Sequence, residues 1–127
     1  MTPTQRTLKY LRDVGYLADV IERWIPIPKI PGGGKRKDFL GFADILAFNS
    51  LQTLLVQSCG SNYSEHVKKI KSSEFLPQWL ESKNRRFLLL GWRKVKKKRG
   101  GKLMVFKPRV GIFWLNKNGS LGYSESE

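Results

Sequence analysis

Two polar side chains interrupt neighbouring apolar segments of the chain. Asp44 lies in residues 41–48, GFADILAF, and Gln57 lies in residues 53–59, TLLVQSC. These segments predict strands at 42–48 and 53–59, joined by a turn at Asn49 and Ser50. Because side chains alternate along a strand, Asp44 and Gln57 are expected to converge if the two strands are neighbours. A carboxylate in such a strand costs several kcal/mol, or has a shifted pKa, unless a counter-charge is near it.

A divalent cation would supply that counter-charge. Glu22 belongs to the preceding predicted strand and could approach Asp44 and Gln57. Two carboxylates and an amide oxygen are hard ligands that suit Mg²⁺ or Mn²⁺. Simpler alternatives exist for each residue: Asp44 caps a turn or pairs with an arginine, Glu22 forms a surface ion pair, and Gln57 is a satisfied polar core residue.

Positive charge is the strongest compositional signal. The 127 residues include 24 Lys and Arg against 10 Asp and Glu, a net charge of +14. This excess favours nucleic acid as a partner over a membrane surface, because no basic amphipathic helix with a wide apolar face is evident. No apolar run approaches the roughly 20 residues of a membrane span, and the N-terminus lacks a signal-peptide core. We therefore expect one cytoplasmic domain over residues 1–127.

Cys59 and His66 are the only cysteine and the only histidine. An intramolecular disulfide and a multi-histidine metal site are therefore excluded. Cys59 is expected to be a small buried apolar residue, and His66 a surface residue of a helix. A nucleophilic Cys59–His66 pair is the alternative, although no oxyanion loop or third group accompanies it.

The remaining elements follow from periodicity and from capping signals. Thr2 and Gln5 predict a capping box at the start of the first helix, and Asn62 and Glu65 predict another at the second. This order of elements predicts an α/β (α+β) fold with a mixed central β-sheet flanked by helices. The other predicted segments are a strand at 16–27, a Pro/Gly loop at 26–38, a short helical piece at 72–84, strands at 85–95 and 102–115 joined as a hairpin, and a flexible tail at about 117–127.

Two basic segments are candidates for contact with nucleic acid. Residues 31–38, PGGGKRKD, lack the Ser or Thr that follows the lysine of a phosphate-binding loop, so they predict a mobile basic flap. Residues 93–102, RKVKKKRGGK, form either a solvated hairpin tip or a surface that follows the phosphate backbone. The candidate nucleic-acid-binding residues are Lys35, Arg36, Lys37, Arg93, Lys94, Lys96, Lys97, Lys98 and Arg99.

The order helix, three strands, helix, strand resembles the PD-(D/E)XK nuclease superfamily over most of residues 4–95. The stretch DFLGFADILA followed by LLVQSCGSN, and the later GWRK at 91–94, are similar to members found in phages and mobile elements. The resemblance implies a restriction-endonuclease-like αβββαβ core followed by a C-terminal β-hairpin. It also implies an intracellular setting, in a prokaryotic or viral host cell.

The family's site residues can be carried over position by position. Its aspartate falls on Asp44, its second acidic position on Gln57, and its lysine on Cys59, which is a departure from the motif. The resemblance implies that Lys68 or Lys69, on the following helix, replaces that lysine. Asp44 and Gln57 would hold the metal, with Glu22 or Asp38 as a further ligand. Asp38 alternatively shapes the entrance to its strand.

The resemblance implies a Mg²⁺- or Mn²⁺-dependent DNA endonuclease that hydrolyses phosphodiester bonds, with branched or structured DNA as one substrate. Small nucleases of this kind dimerise to cut two strands, so a homodimer is one expected arrangement. Two rivals remain. One is a nucleic-acid-binding protein of the same fold whose catalysis has decayed, which Cys59 favours. The other is a basic protein associated with RNA or the ribosome, in which an acid such as Asp44 would have no purpose.

Overall fold

A computed structural model describes residues 1–126 of the chain. Its elements combine short helices with a mixed sheet, so the predicted α/β class is confirmed. In chain order they are α1 (Pro3–Asp13), β1 (Leu17–Val20), β2 (Arg23–Pro26), β3 (Gly34–Lys37), β4 (Ile45–Phe48), β5 (Thr53–Cys59), α2 (Tyr63–Lys71), α3 (Leu76–Trp79), β6 (Arg85–Lys96), β7 (Met104–Leu115) and β8 (Leu121–Ser126).

Six of the strands form one sheet in the order β1-β4-β5-β6-β7-β8. The pair β5–β6 is parallel, and the other neighbours are antiparallel. The parallel pair requires a crossover, which α2 and α3 supply. Strand β5 is therefore central and covered on both faces, which explains why its sequence is a nearly continuous apolar run.

The helices cover opposite faces of the sheet. Leu11 of α1 packs with Leu54 and Val56 of β5 on one face. Tyr63 of α2 packs with Leu55 in the cluster on the other face. The Tyr63 ring lies so close to Gly91 of β6 that a Cβ there would be 2.5 Å from a ring carbon. Glycine at this position thus allows α2 to approach the sheet closely.

The N-terminal capping box is confirmed and the second one is wrong. The Thr2 hydroxyl accepts a hydrogen bond from the Gln5 backbone at 3.2 Å, and the Gln5 side chain accepts one from the Thr2 backbone at 2.9 Å. Asn62 precedes α2 but forms no side-chain cap. Its ψ of 37° departs from the extended conformation that an N-cap residue usually adopts.

The predicted strand at 16–27 is wrong, because this segment forms two strands in different sheets. Ile21 still donates to the Asp44 carbonyl at 2.9 Å, and the chain then leaves the sheet at Glu22. Strands β2 and β3 form a separate two-stranded hairpin in which the Trp24 indole lies against Gly34. The Pro/Gly segment, predicted as a loop, therefore contains a paired strand.

The tail differs most from its prediction. Residues 121–126 form β8, which pairs with β7 along six rungs instead of fraying. Arg109 of β7 forms a bidentate ion pair with Glu125 of β8, at 2.7 and 3.0 Å. Glu127, also within the predicted tail, lies outside the described residues. No helix in residues 1–126 is long and apolar enough to span a membrane.

Candidate active site

Asp44 lies between two strands at the point where β4 begins. Its backbone N–H donates to the Val56 carbonyl of β5 at 2.9 Å, and its own carbonyl accepts from Ile21 just after β1 at 2.9 Å. The predicted strand at 42–48 is therefore regular only from Ile45, and Asp44 occupies a bend at its start. Bonds on both sides fix this backbone and direct the carboxylate towards β5.

The Asp44 carboxylate is buried and held by neutral donors. Ser58 donates its backbone N–H to both carboxylate oxygens, at 3.2 and 3.3 Å, and its hydroxyl to Oδ2 at 3.3 Å. Gln57 donates from Nε2 to Oδ2 at 3.2 Å. The register of β4 and β5 thus brings Asp44 and Gln57 together, and no Lys or Arg side chain within residues 1–126 bonds to Asp44.

This environment raises the pKa of Asp44 to about 7. Burial is the largest cause, and the carboxylates of Asp38 and Glu22 raise the pKa further. The Ser58 hydrogen bonds act in the opposite direction, because they stabilise the ionised form. The Asp44 carboxyl therefore holds its proton to a much higher pH than an exposed aspartate does, and a nearby cation would favour its ionised form.

Glu22, Asp38 and Asp44 form an acidic cluster, in which one carboxylate oxygen from each lies within 4.8 Å of the others. The β2–β3 hairpin brings the first two together, because Glu22 directly precedes β2 and Asp38 directly follows β3. Glu22 was predicted within a strand, but it lies in the break between β1 and β2. Its nearest cation is Arg36 at 3.8 Å, an exposed side chain whose ion pair contributes little.

The donor set of the acidic cluster fits a divalent cation. Three carboxylates converge with little compensating charge, and carboxylate oxygens are the ligands that Mg²⁺ and Mn²⁺ prefer. The hydrogen bonds of Gln57 to Asp44 and to the Ser58 carbonyl both use Nε2. Both partners are acceptors, so Gln57 acts as a donor here, and a half-turn of its amide would place Oε1 against two oxygens unless a cation lay between them.

Among residues 1–126, no lysine forms a hydrogen bond or an ion pair with Asp44. Lys68 and Lys69 are exposed on α2, and within residues 1–126 neither forms a hydrogen bond or ion pair with Asp44. Cys59, at the position where the family motif has lysine, is 5% exposed, and burial raises the pKa of its thiol to about 11. A thiol whose pKa is raised in this way is mainly protonated at neutral pH, which argues against a nucleophilic Cys59–His66 pair.

His66 was predicted as a surface residue of a helix, but the structure places it closer to the core. It is half-buried, and its Nδ1 is enclosed without a hydrogen-bond partner among the described residues. Burial and then Lys69 lower the pKa of the imidazole, while Asp38 and Glu65 raise it. His66 is therefore mainly neutral at pH 7, and the negative charge of Asp38 acts on its imidazole. Helical spacing predicts this burial, because Tyr63 lies three residues before His66, Ile70 lies four residues after it, and both are on the buried face of α2.

The nine candidate nucleic-acid-binding residues are all exposed. Lys35, Arg36 and Lys37 belong to β3, which extends from the acidic cluster. The other six lie on the outer half of the β6–β7 hairpin and at its tip, and this hairpin continues through ten paired rungs. Within residues 1–126 only Arg36 of the nine forms an ion pair. Both hairpins therefore present cations that anions can reach.

Comparison with protein-family models, with curated proteins and with solved structures finds no match. Function must therefore be inferred from the chain's own residues and from their geometry.

Proposed function

We propose that this protein is a divalent-metal-dependent DNA endonuclease that hydrolyses phosphodiester bonds. One observation carries the proposal: a buried aspartate, to which no cation within residues 1–126 bonds, meets two further carboxylates at the base of a basic hairpin. An acidic cluster next to surface cations suits a metal that contacts the phosphate of a polyanion. The net charge of +14 favours such a substrate.

The order of elements gives further support. When the inserted β2–β3 hairpin and the short α3 are set aside, helix α1, strands β1, β4 and β5, helix α2 and strand β6 are compatible with the αβββαβ order that the resemblance implies. In this arrangement Asp44, in the bend before the second strand of that series, lies opposite Gln57 on the third. A restriction-endonuclease-like core is accordingly part of the proposal.

Each side chain has a proposed role. Asp44, Glu22 and Asp38 would hold Mg²⁺ or Mn²⁺, with Gln57 as a further oxygen donor. Bound there, the metal supplies polarisation of the phosphate and a water of lowered pKa. Ser58 fixes the orientation of the Asp44 carboxylate through its N–H and hydroxyl. The cations of both hairpins would bind the DNA backbone and align it with the acidic cluster.

A DNA-binding protein with decayed catalysis is the second candidate, and one observation favours it. The lysine position of the motif holds the buried Cys59, and neither Lys68 nor Lys69 bonds to Asp44 among the described residues. Such a protein would bind DNA through the same basic hairpins without cutting it.

A cleavage assay distinguishes the two candidates. Supercoiled and branched DNA would be incubated with the protein and Mg²⁺ or Mn²⁺, with EDTA as the negative control. The proposal expects nicking or linearisation that Asp44→Asn abolishes while DNA affinity stays similar or rises. Asp19→Asn is the matched control, because Asp19 is an exposed acid on β1 outside the acidic cluster. Binding without cleavage in either metal would support the decayed protein, and absence of both would contradict a role on DNA.

The cellular location and the oligomeric state of the protein are part of the same proposal. We place the activity inside a prokaryotic cell or a virally infected one, where its DNA would be found. Because residues 1–126 contain one such acidic cluster, cutting both strands of a duplex in one encounter would require a second copy of the chain.

A further inference from the structure

A cavity of about 560 Å³ opens beside the acidic cluster, and Asp38 belongs to both. The volume lies within the range of pockets that hold small organic groups. Its walls combine apolar and aromatic side chains with two cations. The residues that matter for ligand binding are Phe39, Leu40, Phe75, Arg23, Lys37 and Asp38.

The apolar wall is partly open to solvent. Phe39 is 44% exposed, Leu40 is 48% exposed and Phe75 is 43% exposed. By contrast, Phe42 and Ala43, a few residues further along, are buried in the core. Large apolar side chains clustered at the surface mark interaction sites more often than isolated ones do.

A tight turn holds Phe39 and Leu40 outside the core. Phe39 donates to the Ala43 carbonyl at 2.7 Å and accepts from the Ala43 N–H at 3.2 Å. Leu40, between them, has a φ of 52°, the only positive φ of a non-glycine residue among the described residues. Leucine is disfavoured in this left-handed region, so the turn presents both side chains at the expense of local backbone strain.

The charged wall of the cavity fits an anion. Arg23 of β2 and Lys37 of β3 are direct partners across the hairpin, so two positive charges face each other. Neither forms an ion pair with an acid in residues 1–126. Like charges at one rung repel each other, and an anion bound between them would relieve the repulsion. The cavity therefore offers a stacking surface, a pair of cations and an edge shared with the acidic cluster.

We propose that this cavity binds an unpaired nucleobase of the DNA strand, stacked on Phe39 and Phe75, with the adjoining phosphate held by Arg23 and Lys37. The identity of the polymer rests on the proposed function. Bases inside a duplex are stacked on their neighbours and cannot enter, whereas an unpaired base has a free π-face. The preferred substrate is therefore DNA with an unpaired nucleotide next to the attacked phosphate, as in a gap, a flap or a branch point.

Binding without divalent metal provides the test, because it does not depend on cleavage. Two probes in EDTA would be a duplex with one unpaired 2-aminopurine and the fully paired duplex of the same sequence. Phe39→Ala and Phe75→Ala should each weaken binding of the first probe on the order of tenfold and leave the second unchanged. Binding of the parent protein should quench 2-aminopurine fluorescence, and Phe39→Ala should lose that quenching.

Phe48→Ala is the matched control, because Phe48 is 46% exposed at the end of β4 and does not line this cavity. It should leave both affinities at the parental value. Leu40→Gly is a second variant that relieves the positive φ, so it should raise the melting temperature while weakening binding of the unpaired probe. A loss of binding that accompanies a gain in stability cannot be attributed to misfolding.

The outcomes separate this inference from the proposed function. Equal losses on both probes, or none, would overturn base binding while leaving cleavage untouched. Selective loss in a protein that cuts no DNA would sustain base binding and refute the nuclease. Self-association of the parent protein that disappears in Phe39→Ala would show that a second copy covers the cavity and would overturn the inference. Failure to bind either probe in EDTA would overturn base binding, and the cleavage assay with Mg²⁺ or Mn²⁺ would then decide the nuclease on its own.

Discussion

Replacing Asp44 with asparagine should stabilise the folded protein at pH 8 relative to the parent. Burial and the nearby carboxylates of Asp38 and Glu22 raise the pKa of Asp44 from 3.8 to about 7. Between these two values the folded chain holds a proton that the unfolded chain has released. The stability associated with this proton is present at low pH and is lost as the pH rises to about 7. Asparagine retains an oxygen for the Ser58 N–H and carries no charge to desolvate.

The size of the effect follows from the two pKa values. Each pH unit in which only the folded state holds the proton changes the free energy of unfolding by about 1.4 kcal/mol. Between pH 5 and pH 8 the parent should lose about 2.5 kcal/mol relative to Asp44→Asn, because the folded carboxyl is half ionised at its pKa of about 7 and almost fully ionised one unit higher. Above about pH 8 both states are ionised and the difference should stay constant. Other titrating groups are common to both proteins and largely cancel.

Urea unfolding of both proteins at pH 5, 6, 7 and 8 in EDTA would measure this difference. Asp19→Asn, which removes an exposed acid outside the acidic cluster, should follow the parent. Mn²⁺ at about one hundred times its Kd should then stabilise the parent at pH 8 by about 2.7 kcal/mol and leave Asp44→Asn unchanged. A difference between parent and variant that is flat from pH 5 to pH 8 would mean that Asp44 is already ionised in the folded state. The account of an uncompensated buried acid would then be wrong.

Three further changes test other parts of the site. Gln57→Glu should tighten Mn²⁺ binding at pH 8, because a carboxylate would replace an amide beside Asp44; an unchanged affinity by calorimetry would remove Gln57 from the site. Lys69→Ala, or the double variant with Lys68→Ala, should lower the cleavage rate far more than DNA affinity, whereas full activity in the double variant would exclude a helix lysine. Replacing the four tip cations at 96–99 with glutamine should flatten the slope of log affinity against log salt by about two to four units. The melting temperature should barely change, and an unaltered slope would favour the β2–β3 hairpin as the DNA contact.

The proximity of Asp44 and Gln57 could be predicted from sequence, because it depends only on local features. A short turn makes β4 and β5 neighbours, and alternation along the strands then determines which side chains face each other. The structure joins these two residues by a hydrogen bond of 3.2 Å. Their role as metal ligands remains a prediction.

Other parts of the fold depend on partners that lie far apart in sequence. The Pro/Gly segment shows no strand pattern, yet β3 forms because the exposed β2 offers a register in which Trp24 covers Gly34. Pairing of β2 with β3 brings Glu22 and Asp38 together, because Glu22 directly precedes β2 and Asp38 directly follows β3. The polar tail pairs with β7 for a similar reason: an unpaired edge offers N–H and C=O groups to any neighbouring strand, and Glu125 adds an ion pair with Arg109.

The departure at Cys59 determines how the acidic cluster can be neutralised. A lysine two residues after Gln57 would place a permanent cation on β5, whereas Cys59 is uncharged and its raised pKa keeps it so. Asp44 must therefore be balanced by a proton or by an external cation, and these two compete because its pKa is about 7. Metal affinity should consequently fall about tenfold for each pH unit below that value, as one proton is displaced per ion bound. The cations of β3 directly precede Asp38 of the acidic cluster. A phosphate bound by them would therefore place negative charge next to the cluster and make metal binding there more favourable.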